Sequence, residues 1–78
     1  MIKQAFKQML KEARVNYEEL AKGFIIEATE EEAMQLENIV LWCRNNCYRI
    51  DEGINGLFYD YSDDKEDLFI EIYLKRED

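Results

Sequence analysis

Residues 54–74 read Ile-Asn-Gly-Leu-Phe-Tyr-Asp-Tyr-Ser-Asp-Asp-Lys-Glu-Asp-Leu-Phe-Ile-Glu-Ile-Tyr-Leu, and their alternation decides the fold class. Leu57, Tyr59 and Tyr61 alternate with Phe58 and Asp60, and Leu68, Ile70, Ile72 and Leu74 alternate with Phe69, Glu71 and Tyr73. A period of two places each set on its own side of a strand. Asn55-Gly56, between Ile54 and Leu57, predicts a two-residue hairpin whose turn positions both take positive φ. Ser62 to Asp67 is then an acidic loop joining the last two of three strands.

Upstream, Phe24 to Ala28 is short, β-branched in its middle and bounded by Gly23 and Thr29, which suits another strand. Thr29 with Glu32 three residues on forms a capping box, and Glu30 and Glu31 favour the positive end of the helix it opens. That helix is expected to run to Asn45 or Asn46. At the start of the chain, Ile2, Ala5, Phe6, Met9, Leu10 and Ala13 follow the spacing of an amphipathic helix, and Tyr17, Leu20 and Ala21 continue it. Asn16 and Glu19 also read as a second capping box, so the segment is one helix of about six turns or two with a kink near Val15. Gly23 is its expected stop. The prediction is an α+β fold of order α-β-α-β-β-β, a single domain over 1–78, with a small antiparallel sheet and two helices packed on one face. A helix-turn-helix reading of the first 22 residues fails, because its reading helix would begin Glu30-Glu31-Glu32, which phosphates repel.

The chain has 78 residues, 47% apolar and 36% charged, with 10 bases against 18 acids for a net charge of −8. That apolar share supports a folded core in spite of the charge. The longest apolar run, Ile39 to Cys43, is far short of the roughly 20 residues a membrane span needs. Lys3 and Lys7 interrupt the apolar pattern of the first ten residues, unlike a signal peptide. With only two cysteines, a cytoplasmic location with free thiols is expected. Chemistry is limited by absences: no histidine, Ser62 as the single serine, Thr29 as the single threonine, and three glycines that form no phosphate-cradling loop. Paired carboxylates could still act as acid and base, but only inside an enclosed pocket that a chain of this size rarely builds. A non-enzymatic binding protein without cofactor is the reading that remains.

Cys43 and Cys47 lie four apart with no further soft ligand to complete a metal site, and a disulfide at this spacing within a helix is strained. They read as small buried thiols. Asp60, Ser62 and Asp64 match the first alternating positions of a calcium loop and Glu71 its twelfth, but Lys65 stands where the loop needs glycine, so no metal is expected.

Charge is sorted along the chain. Residues 1–22 carry a net of +2, residues 23–50 a net of −3, and residues 51–78 a net of −7. Lys3, Lys7, Lys11 and Arg14 share a stripe of the first helix. In the acidic third, Asp60, Asp63, Asp64, Glu66, Glu71 and Tyr73 are the candidate partner-binding residues. If helices cover the Leu68–Leu74 face, Phe69, Glu71 and Tyr73 point away from them. Carboxylates among rings do not bind nucleic acid directly. They suit a basic protein, steered by charge and held by arginine stacking. A protein with a basic groove is most often one that binds nucleic acid, so the expected function is inhibition or regulation of such a partner by mimicry of nucleic acid. In size, charge and lack of catalytic groups the chain is similar to small phage inhibitors such as anti-restriction and anti-CRISPR proteins, a likeness of composition with no motif behind it. The alternative is a self-associating structural or adaptor module. The helix after Thr29 carries Met34, Leu41 and Trp42 outside its core arc, either covered by neighbouring elements or exposed as a homodimer interface.

Overall fold

The computed structural model of the chain describes residues 1–75, and Arg76, Glu77 and Asp78 of the acidic third lie outside the described residues. The first apolar stripe forms helix α1 (Ile2–Ala13), which buries Phe6 and Leu10. It ends sooner than periodicity predicts. Arg14 takes a left-handed conformation (φ 58°, ψ 37°) and its N–H reaches the Lys11 carbonyl, turning the chain back on itself. Residues 16–20 are therefore strand β1 (Asn16–Leu20), hairpinned onto β2 (Gly23–Thr29), rather than a continuation of helix. The reason is tertiary. Pairing with β2 packs Tyr17 edge-on to Phe24, with ring centroids 5.8 Å apart, and brings Glu19 to Lys3 (3.2 Å) and Lys7 (2.8 Å) of α1. Lys3 Nζ also donates to the Leu20 carbonyl at 2.8 Å.

Gly23 does not stop a helix; it opens β2. A Cβ there would overlap the Phe69 carbonyl oxygen and lie 2.8 Å from the Phe69 ring, so the position needs glycine for close approach.

The Thr29–Glu32 capping box forms. Glu32 Oε1 accepts from the Thr29 N–H at 3.1 Å, and the Glu32 N–H donates to Thr29 Oγ1 at 3.3 Å. What it closes is a turn that leads through a 3₁₀ segment (Ala33–Leu36) into α2 (Glu37–Asn46). The helix ends where the paired asparagines predict, with Asn46 Nδ2 donating to the Trp42 carbonyl at 2.8 Å. Strands β3 (Arg49–Glu52), β4 (Leu57–Ser62) and β5 (Asp67–Lys75) complete the chain. The β3–β4 hairpin exists, but its connection is the four residues 53–56, closed by the Gly53 N–H on the Gly56 carbonyl at 3.1 Å, and no glycine has positive φ.

The architecture is α+β, in the order α-β-β-α-β-β-β, with one five-stranded sheet ordered β1-β2-β5-β4-β3. The sheet is mixed rather than wholly antiparallel. β2 and β5 run parallel at its centre, and the other three pairs are antiparallel. Phe24, Ile26 and Ala28 of β2, Tyr59 of β4, and Leu68, Ile70 and Ile72 of β5 form one buried cluster with Phe6 and Leu10 of α1 and Ile39 and Cys43 of α2. Both helices therefore cover the same face of the sheet. No helix among the described residues is long and apolar enough to cross a membrane.

Candidate functional site

Strand alternation sends every second side chain to the face that neither helix covers. The registers then set these side chains in rows. Glu18, Ile25, Glu71, Phe58 and Asp51 stand level with one another across β1, β2, β5, β4 and β3. Three carboxylates thus occupy alternate strands, about 10 Å apart at the usual strand spacing, with an aliphatic and an aromatic side chain between them. None of the three has an ion-pair partner among the described residues. A second row holds Phe69, Asp60 and Arg49, and a third holds Glu27 beside Tyr73. A shallow groove of about 340 Å³ runs between the first two rows, lined by Arg49, Asp51, Phe58, Asp60, Phe69 and Glu71.

Two glycines shape this surface. Gly23 lets the Phe69 ring lie against its backbone, and a Cβ on Gly56 would stand 3.2 Å from the Tyr73 ring. Tyr73 meets Phe58 edge-on at 5.9 Å, and its hydroxyl donates to Glu71 Oε1 at 3.1 Å. Burial and the neighbouring Glu71 carboxylate both push the Tyr73 phenol up, so it stays protonated and donating.

The six residues singled out from the sequence do not share one surface. Asp60, Glu71 and Tyr73 lie on the open face. Asp63, Asp64 and Glu66 lie in the β4–β5 loop, at one end of the sheet. Asp63 is a structural acid. Its Oδ1 accepts from the N–H groups of Lys65 (2.7 Å) and Glu66 (2.8 Å), its Oδ2 from the Tyr61 hydroxyl (2.8 Å), and these bonds hold its carboxyl below the usual range. Glu66 Oε1 accepts the Ile2 N–H at the start of α1. Only Asp64 of the three is free of such a bond among the described residues. Conversely, Glu18, Glu27 and Asp51 belong to the open face and were not singled out. For Glu27 the signal was present, since it alternates with Ile26 and Ala28. Placing it beside Tyr73 needed the parallel β2–β5 pairing.

The molecule's own cations neutralise part of this surface. Lys75 pairs with Glu27 at 2.7 Å, and Arg49 approaches Asp60 at 3.8 Å. Elsewhere, Arg44 donates twice to Glu52 Oε2, at 2.8 and 3.0 Å, and the Tyr59 hydroxyl donates to the same oxygen at 3.0 Å, tying α2 to the β3 edge. In the expected basic stripe Lys3 and Lys7 are held by Glu19, and Arg14 lies beyond the end of the helix.

Met34, Leu41 and Trp42 also separate. Trp42 is half-buried, packed on Phe6 of α1 at 5.4 Å and on Tyr61 at 5.5 Å. Met34 and Leu41 are 82% and 55% exposed. The first helix therefore covers Trp42 and leaves the other two open. The helical projection misplaces Trp42 because it centres the core arc on Val40 and Cys47, which are only half-buried. The buried positions are Ile39 and Cys43, and Trp42 lies about 60° around the helix from Ile39 while Leu41 lies nearly opposite. Cys43 is buried and Cys47 half-buried, both as free thiols. Cys47 sits just past α2 in extended conformation. No family model, curated protein or solved structure matches the chain.

Proposed function

We propose that the chain is a non-enzymatic binding protein whose open sheet face docks on a basic partner that itself binds nucleic acid, and blocks or regulates it. The row Glu18–Ile25–Glu71–Phe58–Asp51 carries this reading. Alternating carboxylates offer ion pairs to lysine and arginine, and the interleaved Phe58, together with Phe69 and Tyr73 on either side, offers surfaces on which guanidinium groups stack. A net charge of −8 adds long-range attraction to any cationic groove and repels phosphates. Inhibition follows from competition, since a groove filled by these carboxylates is closed to a nucleic-acid backbone.

Affinity capture from the native host at about 50 mM salt, with elution at about 500 mM, tests the reading, because contacts of this kind weaken steeply with salt. The expected eluate contains nucleic-acid-binding proteins that duplex DNA or RNA displaces from the chain, and a Glu71→Lys, Asp51→Lys double variant retains none of them. A captured set that survives both high salt and the double variant would overturn the reading.

A further inference from the structure

We infer that the chain pairs with a second copy of itself through the outward side of α2, in an antiparallel, two-fold arrangement. Ile39 and Cys43 face the core, so Leu41 lies on the far side of the helix, with Glu37 and Arg44 along the same outward stripe. Together with Ala33, Met34 and Val40 these residues line a groove of about 480 Å³. Its apolar floor is bounded by one acid and one base, and their spacing selects the occupant. Glu37 and Arg44 are two helical turns apart, roughly 10 Å, and their midpoint falls between Val40 and Leu41. A two-fold axis at that midpoint sets Glu37 of each copy opposite Arg44 of the other and Leu41 of each opposite Val40 of the other, so the two Leu41 side chains flank the axis. The stripe is thus complementary to itself, as an isologous interface requires. Arg44 is already held by Glu52, yet its side chain stays 56% exposed, so the guanidinium is positioned and still open to a second carboxylate. The pairing goes beyond the proposed docking function. α2 lies on the helical side of the sheet, so a pair formed there leaves both acidic faces uncovered.

Sedimentation equilibrium from about 10 µM to about 1 mM tests this, the span over which a small interface of this kind associates. The average mass is expected to rise from one chain to two. Leu41→Asp, on an uncovered surface, should keep the fold and hold the mass at one chain throughout. Glu37→Lys and Arg44→Glu should each weaken association at least tenfold, and an equal mixture of the two should regain it, because both cross-contacts are then attractive. A wild-type mass of one chain over the whole range overturns the inference, as does a dimer that persists in Leu41→Asp. A mixture that associates no better than either variant alone overturns the antiparallel pairing. Should Arg44→Glu not fold, Glu37→Lys and Leu41→Asp decide the matter.

Discussion

Gly23 and Arg14 show how single positions set the path of this chain. A methyl group on Gly23 has no room between β2 and the Phe69 carbonyl, whereas one on Gly53 meets nothing closer than 3.9 Å. Gly23→Ala is therefore expected to cost about 2–4 kcal/mol in chemical denaturation, and Gly53→Ala less than about 0.5 kcal/mol. Equal costs would show that close packing at Gly23 is not what the strand requires. Arg14 has the reverse problem, a side chain in the left-handed region that glycine occupies without strain. Arg14→Gly should stabilise the chain by about 0.5–1 kcal/mol, and a destabilised variant would count against the left-handed cap. The cysteines give a residue-scale pH dependence. Burial pushes both thiols up, Cys43 further than Cys47. A raised value keeps the unreactive thiol form at pH where a free cysteine is already ionising. Alkylation of the native protein should accordingly lag free cysteine and reach its half-maximal rate at higher pH. Reaction at the free-cysteine rate would place Cys47 in solvent.

At the scale of elements, legibility followed how local each signal was. The β4 and β5 strands, the end of α2 and the Thr29–Glu32 box rest on neighbouring residues and could be read directly. β1 could not. Tyr17, Leu20 and Ala21 fit a helical period, and nothing within residues 14–22 announces that Glu19 will find Lys3 and Lys7 on an element packed above it. Cap and turn chemistry misled at Asn16 with Glu19 and at Gly23, which lie in strands, and at Asn55-Gly56, which carries the signature of a two-residue turn. Its glycine is needed instead because a Cβ would stand 3.0 Å from the Ile72 carbonyl oxygen. The α1–β1 connection has its own pH signature. Hydrogen bonds from Lys7 and then Lys3 lower the Glu19 carboxyl, so its stabilising effect is complete above the unfolded value of about 4.3 and is lost as pH falls through the folded one. The stability difference between wild type and Glu19→Gln, in which the titration of the other carboxylates cancels, should shrink on acidification below about pH 4.3. A difference independent of pH would sever the link between Glu19 and α1. Hydrogen exchange reports the sheet as a whole. β2 and β5 are paired on both sides, while β3 is a short edge strand with all four residues exposed. Amides of 49–52 should exchange fastest of any strand and those of β2 and β5 slowest, and the opposite order would contradict the strand order.

For the molecule as a whole, one layer of helices on one side of a five-stranded sheet leaves the other side open, and the chain fills that side with acids and rings. Of the six candidate residues, Asp60, Glu71 and Tyr73 lie on that side. Asp63 and Glu66 turn out to shape the β4–β5 loop and anchor the start of α1. That division was invisible in the sequence because a run of acids looks alike whether its oxygens face solvent or accept backbone N–H groups. The regrouping of Glu18, Glu27 and Asp51 with Glu71 depends on strand order, which no local pattern encodes. Whether this open face accepts cationic side chains can be read by titrating the labelled protein with a short arginine-rich peptide and following amide and aromatic shifts by NMR. Changes are expected to concentrate at Glu18, Asp51, Phe58, Phe69, Glu71 and Tyr73, and Glu71→Lys with Asp51→Lys should abolish them. Changes centred instead on the β4–β5 loop, or spread evenly over every exposed acid, would contradict docking on this face.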